Sequence, residues 1–374
     1  MRIAIVTETF LPSTDGIVTR ITKAIEFMCR QGHQVLVIAP DIEGLPEYFE
    51  GAKVRGANTI KFFLYKQRPW AIPDSKVKVW LEEFQPDIVH AVNPASLTAS
   101  AVYYANKLKI PLLCSFHTNL PDYADRYRVG FIKPILWRYI RKMHNKALVN
   151  LVTSQAMYDL LEAKDISNLQ ILPKGVDTIN RHPRFHSEEM RHHLCQGNHN
   201  KKLLIYVGRL APEKGIQRLR PLFDQRKDIC LAIVGDGPAR AELEEVFKNT
   251  PTFFTGFLHG KELSMAYASA DAFVFPSTSE TLGLVITESM ASGTPVIAAY
   301  SPPTAEQIDH GESGLIYQEE SMSTLHQAID LLEDSQLVEK IRLNGREYAE
   351  AFSWDNASQA MLDAYTLAIE RYKN

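Results

Sequence analysis

Residues 279–298 read SETLGLVITESMASGTPVIA, and the fold follows from them. Leu284, Val285, Met290 and Ala291 recur at helical spacing, Gly293 suits the left-handed residue past a helix end, and Val296 and Ile297 begin a buried strand. The spacing predicts a helix that begins near Gly283 and runs directly into that strand. The first amides of such a helix, Thr281 to Val285 through Leu282, Gly283 and Leu284, have few partners in the preceding turn. With the positive end of the helix dipole they form a seat for a phosphate. Glu280 stands just before that seat and Glu288 just after it. A carboxylate beside an anion site repels phosphate, which points both toward accepting hydrogen bonds from sugar hydroxyls. The residues alone equally allow Glu280 to cap the helix and Glu288 to be solvated surface.

A second motif, YVGRLAPEKG at 206–215, has the same character. Residues 203–207 read as a short buried strand, and Gly208 lets the backbone turn closely. Arg209 and Lys214 present two cations at the strand's carboxyl end, where open α/β sheets bind ligands. Either cation taken alone would serve to neutralise Glu213 and neighbouring acids on a solvated face. Together with the glycine-opened helix they point to a phosphate site.

Strands and helices alternate along the whole chain. Residues 3–6, 35–38, 88–89, 112–115 and 151–153 are short apolar strands with helical stretches between several of them, the pattern of a parallel sheet covered on both faces. Residues 180–202, rich in His, Arg and Asn, read as a polar connection. A second alternation follows at 203–207, 231–234, 253–255, 272–275 and 295–298. The domains expected are 1–178 and 200–354. The first alternation brings two further residues to the carboxyl edge of its sheet. Gly16, in TETFLPSTDGIVTR, precedes a helix beginning near Ile17, an exposed helix start suited to anion approach, or equally a plain loop. His117 follows the strand 112–115, as a site residue or a satisfied structural one.

Composition narrows the classes further. The 374 residues suffice for two cores, and a formal net charge of −3 gives no overall pull toward nucleic acid. Cys29, Cys114, Cys195 and Cys230 lie far apart without CxxC spacing, as reduced, partly buried thiols of a cytoplasmic protein do. Nowhere do about eighteen apolar residues follow one another. The absence of GxGxxG argues against a dinucleotide dehydrogenase. His182, His186, His192, His193 and His199 have no metal-ligand spacing and read as solvated. There is no DxD motif, so the expectation is chemistry with no metal and no cofactor beyond a nucleotide-sugar co-substrate.

The motifs VGRLAPEKG, VGDGP, TGFLHGKEL and SETLGLVITESMASGTPVIA, in this order, resemble the retaining glycosyltransferases of family four, over nearly the whole chain. The opening MRIAIVTETFLPSTDGIVTR, with FQPDIVHAVNPA, SFHT and ASADAFVFPSTSETLGLV, is similar to the branch that moves sulfoquinovose from UDP to diacylglycerol. The resemblance implies an α/β GT-B fold: two Rossmann-like parallel-sheet domains facing across a cleft, with 355–374 crossing back to the acceptor-side N-terminal one. It implies that Arg209, Lys214, His117 and Glu280 act in catalysis. Glu288 would hold the ribose, while Thr281, Leu282, Gly283, Leu284 and Val285 contact sugar and diphosphate. Gly235, Gly256 and Phe257 would shape the base pocket, Gly208 would belong to the donor site, and Gly16 would lie near the donor phosphate or the acceptor. Gly235 and Gly237 could equally be turn glycines without a ligand. Transfer would retain the anomeric configuration by front-face attack, with cations stabilising the departing diphosphate.

The acceptor leaves a fainter trace. Residues 126–146, RYRVGFIKPILWRYIRKMHNK, interleave Arg126, Arg128, Lys133, Arg138, Arg141, Lys142 and Lys146 with Phe131, Trp137 and Tyr139, without an acid. Lys61, Lys66, Arg68 and Trp70 repeat the theme. This suits docking on an anionic membrane, about 1 kcal/mol per near-surface cation; the alternative is aromatics in a core and cations in water. Pro302 and Pro303 stand where relatives carry a glycine pair, which removes amide donors from that loop. The functional expectation is a metal-independent glycosyltransferase passing glucose or sulfoquinovose from UDP to a lipid or lipid-linked glycan. A polysaccharide glucosyl- or mannosyltransferase using a UDP- or GDP-sugar, a nucleotide-sugar epimerase and a non-catalytic sugar-binding protein are the competing readings.

Overall fold

The structure, a computed structural model, describes residues 1–60, 70–126, 130–198 and 200–374. It divides into two compact units, Met1–Gly175 with Trp354–Asn374, and Val176–Ser353.

Among the described residues the main sheet of the first unit has eight strands: β1 (Arg2–Thr7), β2 (Gln34–Pro40), β3 (Tyr48–Phe49), β4 (Ala52–Ala57), β5 (Ile88–Val92), β6 (Leu112–Phe116), β7 (Val149–Val152) and β8 (Leu169–Ile171). Their order is β8-β7-β6-β5-β1-β2-β4-β3, and only β3 runs antiparallel to its neighbour. The central strands are near-continuous apolar runs because both faces are covered. On one face Ile3, Ile5, Val35 and Val37 pack with Ile21, Ile25 and Met28 of the helix Gly16–Arg30 and with Met361, Leu362 and Tyr365 of the helix Trp354–Lys373. On the other, Ala4, Val6, Leu36 and Ile38 meet Val77 and Leu81 of Lys76–Phe84 and Leu97, Ala101 and Val102 of Leu97–Lys107. Burying each large aliphatic side chain contributes about 1.5–3 kcal/mol. The chain leaves and re-enters this unit at one point: a Cβ on Gly175 would lie 2.5 Å from the Trp354 ring.

The second unit holds β9 (Lys202–Val207), β10 (Ile229–Val234), β11 (Thr252–Gly256), β12 (Ala272–Phe275), β13 (Val296–Ala299) and β14 (Leu315–Tyr317). They are all parallel, in the order β11-β10-β9-β12-β13-β14. The chain builds outward from β9 to β11 and then restarts at β12 on the other side of β9. Such a reversal leaves a crevice outside the carboxyl ends of the two strands. In the first unit the equivalent reversal lies between β1 and β5.

Residues 180–202, expected to be a polar connection, form part of the second unit and carry the helix Glu188–Cys195. Ser187 caps it through the Met190 amide, and Leu194 and Cys195 are buried against Cys230 and its neighbours. Three apolar residues suffice to seat two turns, too few to show a period among so many His and Arg. The sulfurs of Cys195 and Cys230 lie 3.6 Å apart as free thiols. His199 lies outside the described residues.

Candidate active site

Both second-unit motifs emerge at the β9/β12 reversal. The loop after β9 carries Arg209 and Lys214, and the loop after β12 carries Glu280 and Gly283. Lys214 Nζ donates to Glu280 Oε1 at 2.5 Å, and Ser277 Oγ donates to the same oxygen at 2.8 Å. Arg209 pairs with Glu213, and Ser279 Oγ donates to the Glu213 carbonyl at 3.1 Å. The Arg218 guanidinium bonds the carbonyls of Gly215 and Pro276, at 3.2 and 2.6 Å. The two loops are thus laced together by side chains rather than by a ladder.

Two of the alternatives that the residues left open fall away. Arg209 and Lys214 do not stand on a solvated face: Glu213 is 1% exposed and the Lys214–Glu280 pair about 15%. Glu280 does not cap the helix; it is held as an anion by the lysine. Burial opposes its charge, but Lys214, Ser277 and Arg209 together outweigh burial and hold its carboxyl below the usual range. Burial likewise opposes the Lys214 ammonium, and Glu280 and Tyr206 outweigh it, so its pKa lies above the ordinary lysine value. Both groups stay charged at neutral pH. Both bonds to Glu280 fall on Oε1, which directs Oε2 to other donors.

Gly283 adopts φ 82°, a conformation costly for any other residue, and opens the helix Leu284–Ala291. Its N-cap residue, a glycine, makes no side-chain capping bond, and the Leu284 and Val285 amides stand at the positive end of the dipole. Thr281 and Leu282 are buried, and the Leu282 carbonyl accepts from Gln307 Nε2. Glu288, one turn on, accepts from the Tyr267 hydroxyl at 3.2 Å. Burial raises its pKa above the ordinary value despite Arg181 and Tyr267. Its contacts are with Tyr267 rather than with Lys214 and Glu280, so it marks a separate end of the site. It is half-buried, not solvated surface.

The glycine loops at β9, β10 and β11 close on one another. Gly208 N donates to the Val234 carbonyl at 3.0 Å, and Gly235 N to the Gly256 carbonyl at 2.8 Å. A Cβ on Gly235 would lie 2.0 Å from the Gly208 carbonyl oxygen, and one on Gly237 2.3 Å from that of Leu210. These glycines are required by loop-on-loop packing, whatever they do for a base. Phe257 is exposed and stacks on His259 at 5.9 Å between ring centres. Pro302 and Pro303 open the short helix Pro302–Ala305, capped by Ser301. In a first helical turn the missing amides lack intrahelical partners anyway, so the prolines cost the helix nothing.

In the first unit His117 leaves β6 at its carboxyl end. Its backbone amide and that of Thr118 donate to Asn93 Oδ1, at 3.1 and 2.9 Å. Its ring belongs to a buried chain: Tyr365 Oη to His90 Nδ1 at 2.8 Å, His90 Nε2 to Ser115 Oγ at 2.7 Å, and Ser115 Oγ to His117 Nε2 at 2.9 Å. The phenol proton of Tyr365 has His90 Nδ1 as its acceptor, which runs the chain in one direction. His90 then donates from Nε2, Ser115 donates to His117 Nε2, and His117 carries its proton on Nδ1. Burial, with Arg20, His90 and His144, holds His117 well below the ordinary histidine value, so it is neutral.

Gly16 does open the helix Gly16–Arg30, but its start is not an open anion seat. Asp15 Oδ1 accepts the Ile17 and Val18 amides at 3.1 and 3.0 Å, filling the site with a carboxylate of its own. Glu8 does the same for Leu97–Lys107 by accepting from the amides of Ser96 and Thr98 at 2.7 and 3.0 Å. Neither Asp15 nor Glu8 carried a signal beyond its type, since capping is decided by which amide a loop brings within reach.

The basic stretch forms the helix Lys133–His144. Phe131 and Ile135 are exposed at 81% and 68%, and Arg138 and Lys142 continue the same face. Ile140 and His144 are buried, and Trp137 stacks on Phe116 at 6.5 Å. Arg141 is not unopposed: it pairs with Asp165 at 2.8 Å. Arg128, Lys61, Lys66, Arg68 and the side chains of Trp70 and Arg126 lie outside the described residues.

Residues 14–179 match the family described as Glycosyltransferase Family 4, and residues 195–351 the one described as Glycosyl transferases group 1. The sulfoquinovosyl transferase of Arabidopsis thaliana is 36% identical over 95% of this chain and 71% of its own length. A GDP-mannose-dependent alpha-mannosyltransferase of Corynebacterium glutamicum is 34% identical over 84% of this chain and 76% of its own. An alpha-monoglucosyldiacylglycerol synthase of Streptococcus pneumoniae is 30% identical over 85% and 75%. In three dimensions, Anabaena HepE in complex with UDP and glucose superposes with TM-score 0.79, at 18% identity, over 97% of this chain and 99% of its own.

Proposed function

Since the chain belongs to glycosyltransferase family 4 and has the GT-B fold, we propose that it moves a hexose-type sugar, glucose or sulfoquinovose, from a UDP donor to a hydroxyl of a membrane lipid or lipid-linked glycan. One observation carries this reading: at the β9/β12 reversal Lys214, tied to Glu280, and Arg209, tied to Glu213, accompany the glycine-opened start of Leu284–Ala291. Cleaving the bond between the anomeric carbon and the diphosphate leaves negative charge on the departing oxygen. Arg209 and Lys214 stabilise it as it grows, with the Leu284 and Val285 amides adding partial positive charge. Each cation already has a carboxylate partner, so the cluster is neutral in sum and positive only toward the ligand. Glu280 Oε2 accepts from sugar hydroxyls, Glu288 from the ribose, and His117 meets the sugar.

The acceptor oxygen attacks from the face that the diphosphate leaves and gives its proton to the leaving phosphate, which retains the anomeric configuration and uses neither metal nor cofactor. The name of the Streptococcus relative supports a lipid acceptor, and that of the Arabidopsis relative supports sulfoquinovose as the sugar. Among the described residues no helix is long and apolar enough to cross a membrane, and we assign the protein to the cytoplasmic face of an anionic membrane, docked through Phe131, Ile135, Arg138 and Lys142. The Corynebacterium relative favours a second reading, a GDP-mannose donor. Initial rates with UDP-glucose, UDP-sulfoquinovose and GDP-mannose, each with and without diacylglycerol vesicles, decide. Acceptor-dependent UDP release with a retained anomeric coupling in the product is the expected result. Sugar conversion without acceptor would make the chain an epimerase.

A further inference from the structure

Arg20 lies one turn into the helix Gly16–Arg30, among the core residues Val18, Ile21 and Ala24, and is 3% exposed. Its Nη1 donates to the Pro173 carbonyl at 2.9 Å, while its Nη2 is buried with no hydrogen-bond partner. Among the described residues no carboxylate pairs with it. An arginine remains charged under all ordinary conditions, and a buried charge without a counter-ion is costly. Leucine would serve a purely structural need at this position better.

The placement says what the charge is for. The helix starts after the carboxyl end of β1, Pro173 follows the carboxyl end of β8, and His117 follows that of β6. All three elements therefore deliver these groups to the ligand-binding edge of the first unit's sheet. The charge of Arg20 is felt directly at the His117 ring, where it disfavours the protonated imidazole. Burial already keeps His117 neutral and Arg20 adds to it; the guanidinium, itself lacking an anion, is poised for one that arrives with the substrate.

We propose that Arg20 is an oxyanion-binding residue, its Nη2 pairing with a negatively charged oxygen of the donor. The reading of His117 as a sugar contact underlies this, and it makes a sulfonate or carboxylate on the transferred sugar the favoured source; a donor phosphate offers the same chemistry. Arg20 would then set which sugar the enzyme accepts, because a neutral hexose leaves the guanidinium unpaired and an anionic one pairs it.

Calorimetric binding of UDP-sulfoquinovose, UDP-glucose and UDP alone to the wild type, Arg20→Met and Arg20→Lys tests this without requiring turnover. Losing one charge-assisted hydrogen bond corresponds to about 10- to 100-fold in affinity. The methionine variant should lose that factor for UDP-sulfoquinovose and change less than about twofold for UDP-glucose and UDP, with lysine restoring part of the loss. A similar loss for all three ligands, again partly restored by lysine, supports the oxyanion site and moves its source to the diphosphate. Unchanged affinities in both variants overturn the proposal, as does a loss that lysine does not relieve. Failure of the wild type to transfer sugar would refute the proposed function and leave these binding differences readable.

Discussion

Replacing Lys214 by methionine separates what the lysine does for the fold from what it does for the reaction. The Lys214 and Glu280 side chains are 16% and 15% exposed, so the substitution strands a largely buried carboxylate whose remaining close donor is Ser277. Breaking such a pair from one side costs about 3–5 kcal/mol, and the residual exposure places this case near 3. For a unit of this size that is a fall in Tm of about 6–12 °C. Adding Glu280→Met removes the stranded charge and should recover most of the loss. Turnover should stay roughly 10²- to 10³-fold down in both variants, because the group that meets the leaving phosphate is still missing. Thermal melts at pH 7 and initial rates of UDP release give the two readouts. Equal melting of single and double variants would show that Glu280 does not depend on Lys214. Turnover recovering in the double variant would make the lysine a structural residue only. The pH dependence has a definite sign. Glu280 is held below its ordinary 4.5 and Lys214 above its ordinary 10.5. The carboxylate's stabilising contribution is complete above about pH 4.5 and is lost as pH falls through its folded value. That of the ammonium is complete below about pH 10.5 and is lost as pH rises through its folded value. The stability gap between wild type and K214M should therefore be flat around neutral pH; on the acid side it begins to narrow above pH 4.5, because burial without the lysine raises the Glu280 carboxyl in the variant and lets it protonate first, and on the alkaline side it narrows as pH rises through the folded value of Lys214.

Three further outcomes are expected. Tyr365→Phe removes the donor at the start of the His117 chain and leaves buried His90 Nδ1 unpaired, at about 1–3 kcal/mol; turnover should drop further than the melt implies, and an unchanged kcat would remove the chain from the reaction. Gly235→Ala forces a Cβ toward the Gly208 carbonyl, which is backbone and cannot swing aside, so it should destabilise by about 1–3 kcal/mol and weaken UDP binding; an unchanged melting curve would show the loops to be looser than drawn. Arg138→Gln with Lys142→Gln should weaken sedimentation with anionic vesicles by about 2 kcal/mol, near 30-fold, and Phe131→Ser with Ile135→Ser should weaken it further; equal binding to neutral and anionic vesicles would end the electrostatic part of the docking.

The central strands were legible because a strand buried on both faces has to be apolar along its length, as 3–6, 203–207 and 272–275 are. β4 was not, because Lys53 and Arg55 interrupt it and Gly56 weakens it further. β3, β8 and β14 are too short to carry a pattern. At the site, glycines and cations showed themselves through local spacing, but their partners did not. Lys214 meets Glu280 across 66 positions and His90 meets Tyr365 across 275. No local period encodes such a distance; the topology makes the pairing. The reverse error, an open anion seat at Gly16, arose because Asp15 lies next to the amides it fills and reads in sequence as one more polar loop residue.

The helix Trp354–Lys373 imposes an order on how the molecule matures. A ribosome has translated every strand of the first sheet long before it reaches Met361, Leu362 and Tyr365, and all of Val176–Ser353 emerges in between. Until then Ile3, Val35 and their neighbours lack one wall and His90 waits for its phenol, while the intervening unit already has its whole sequence and is free to close. The part of the protein made first is thus the last to be finished, and released chains truncated after Ser353 should yield a protease-resistant fragment from the middle of the sequence rather than from its beginning.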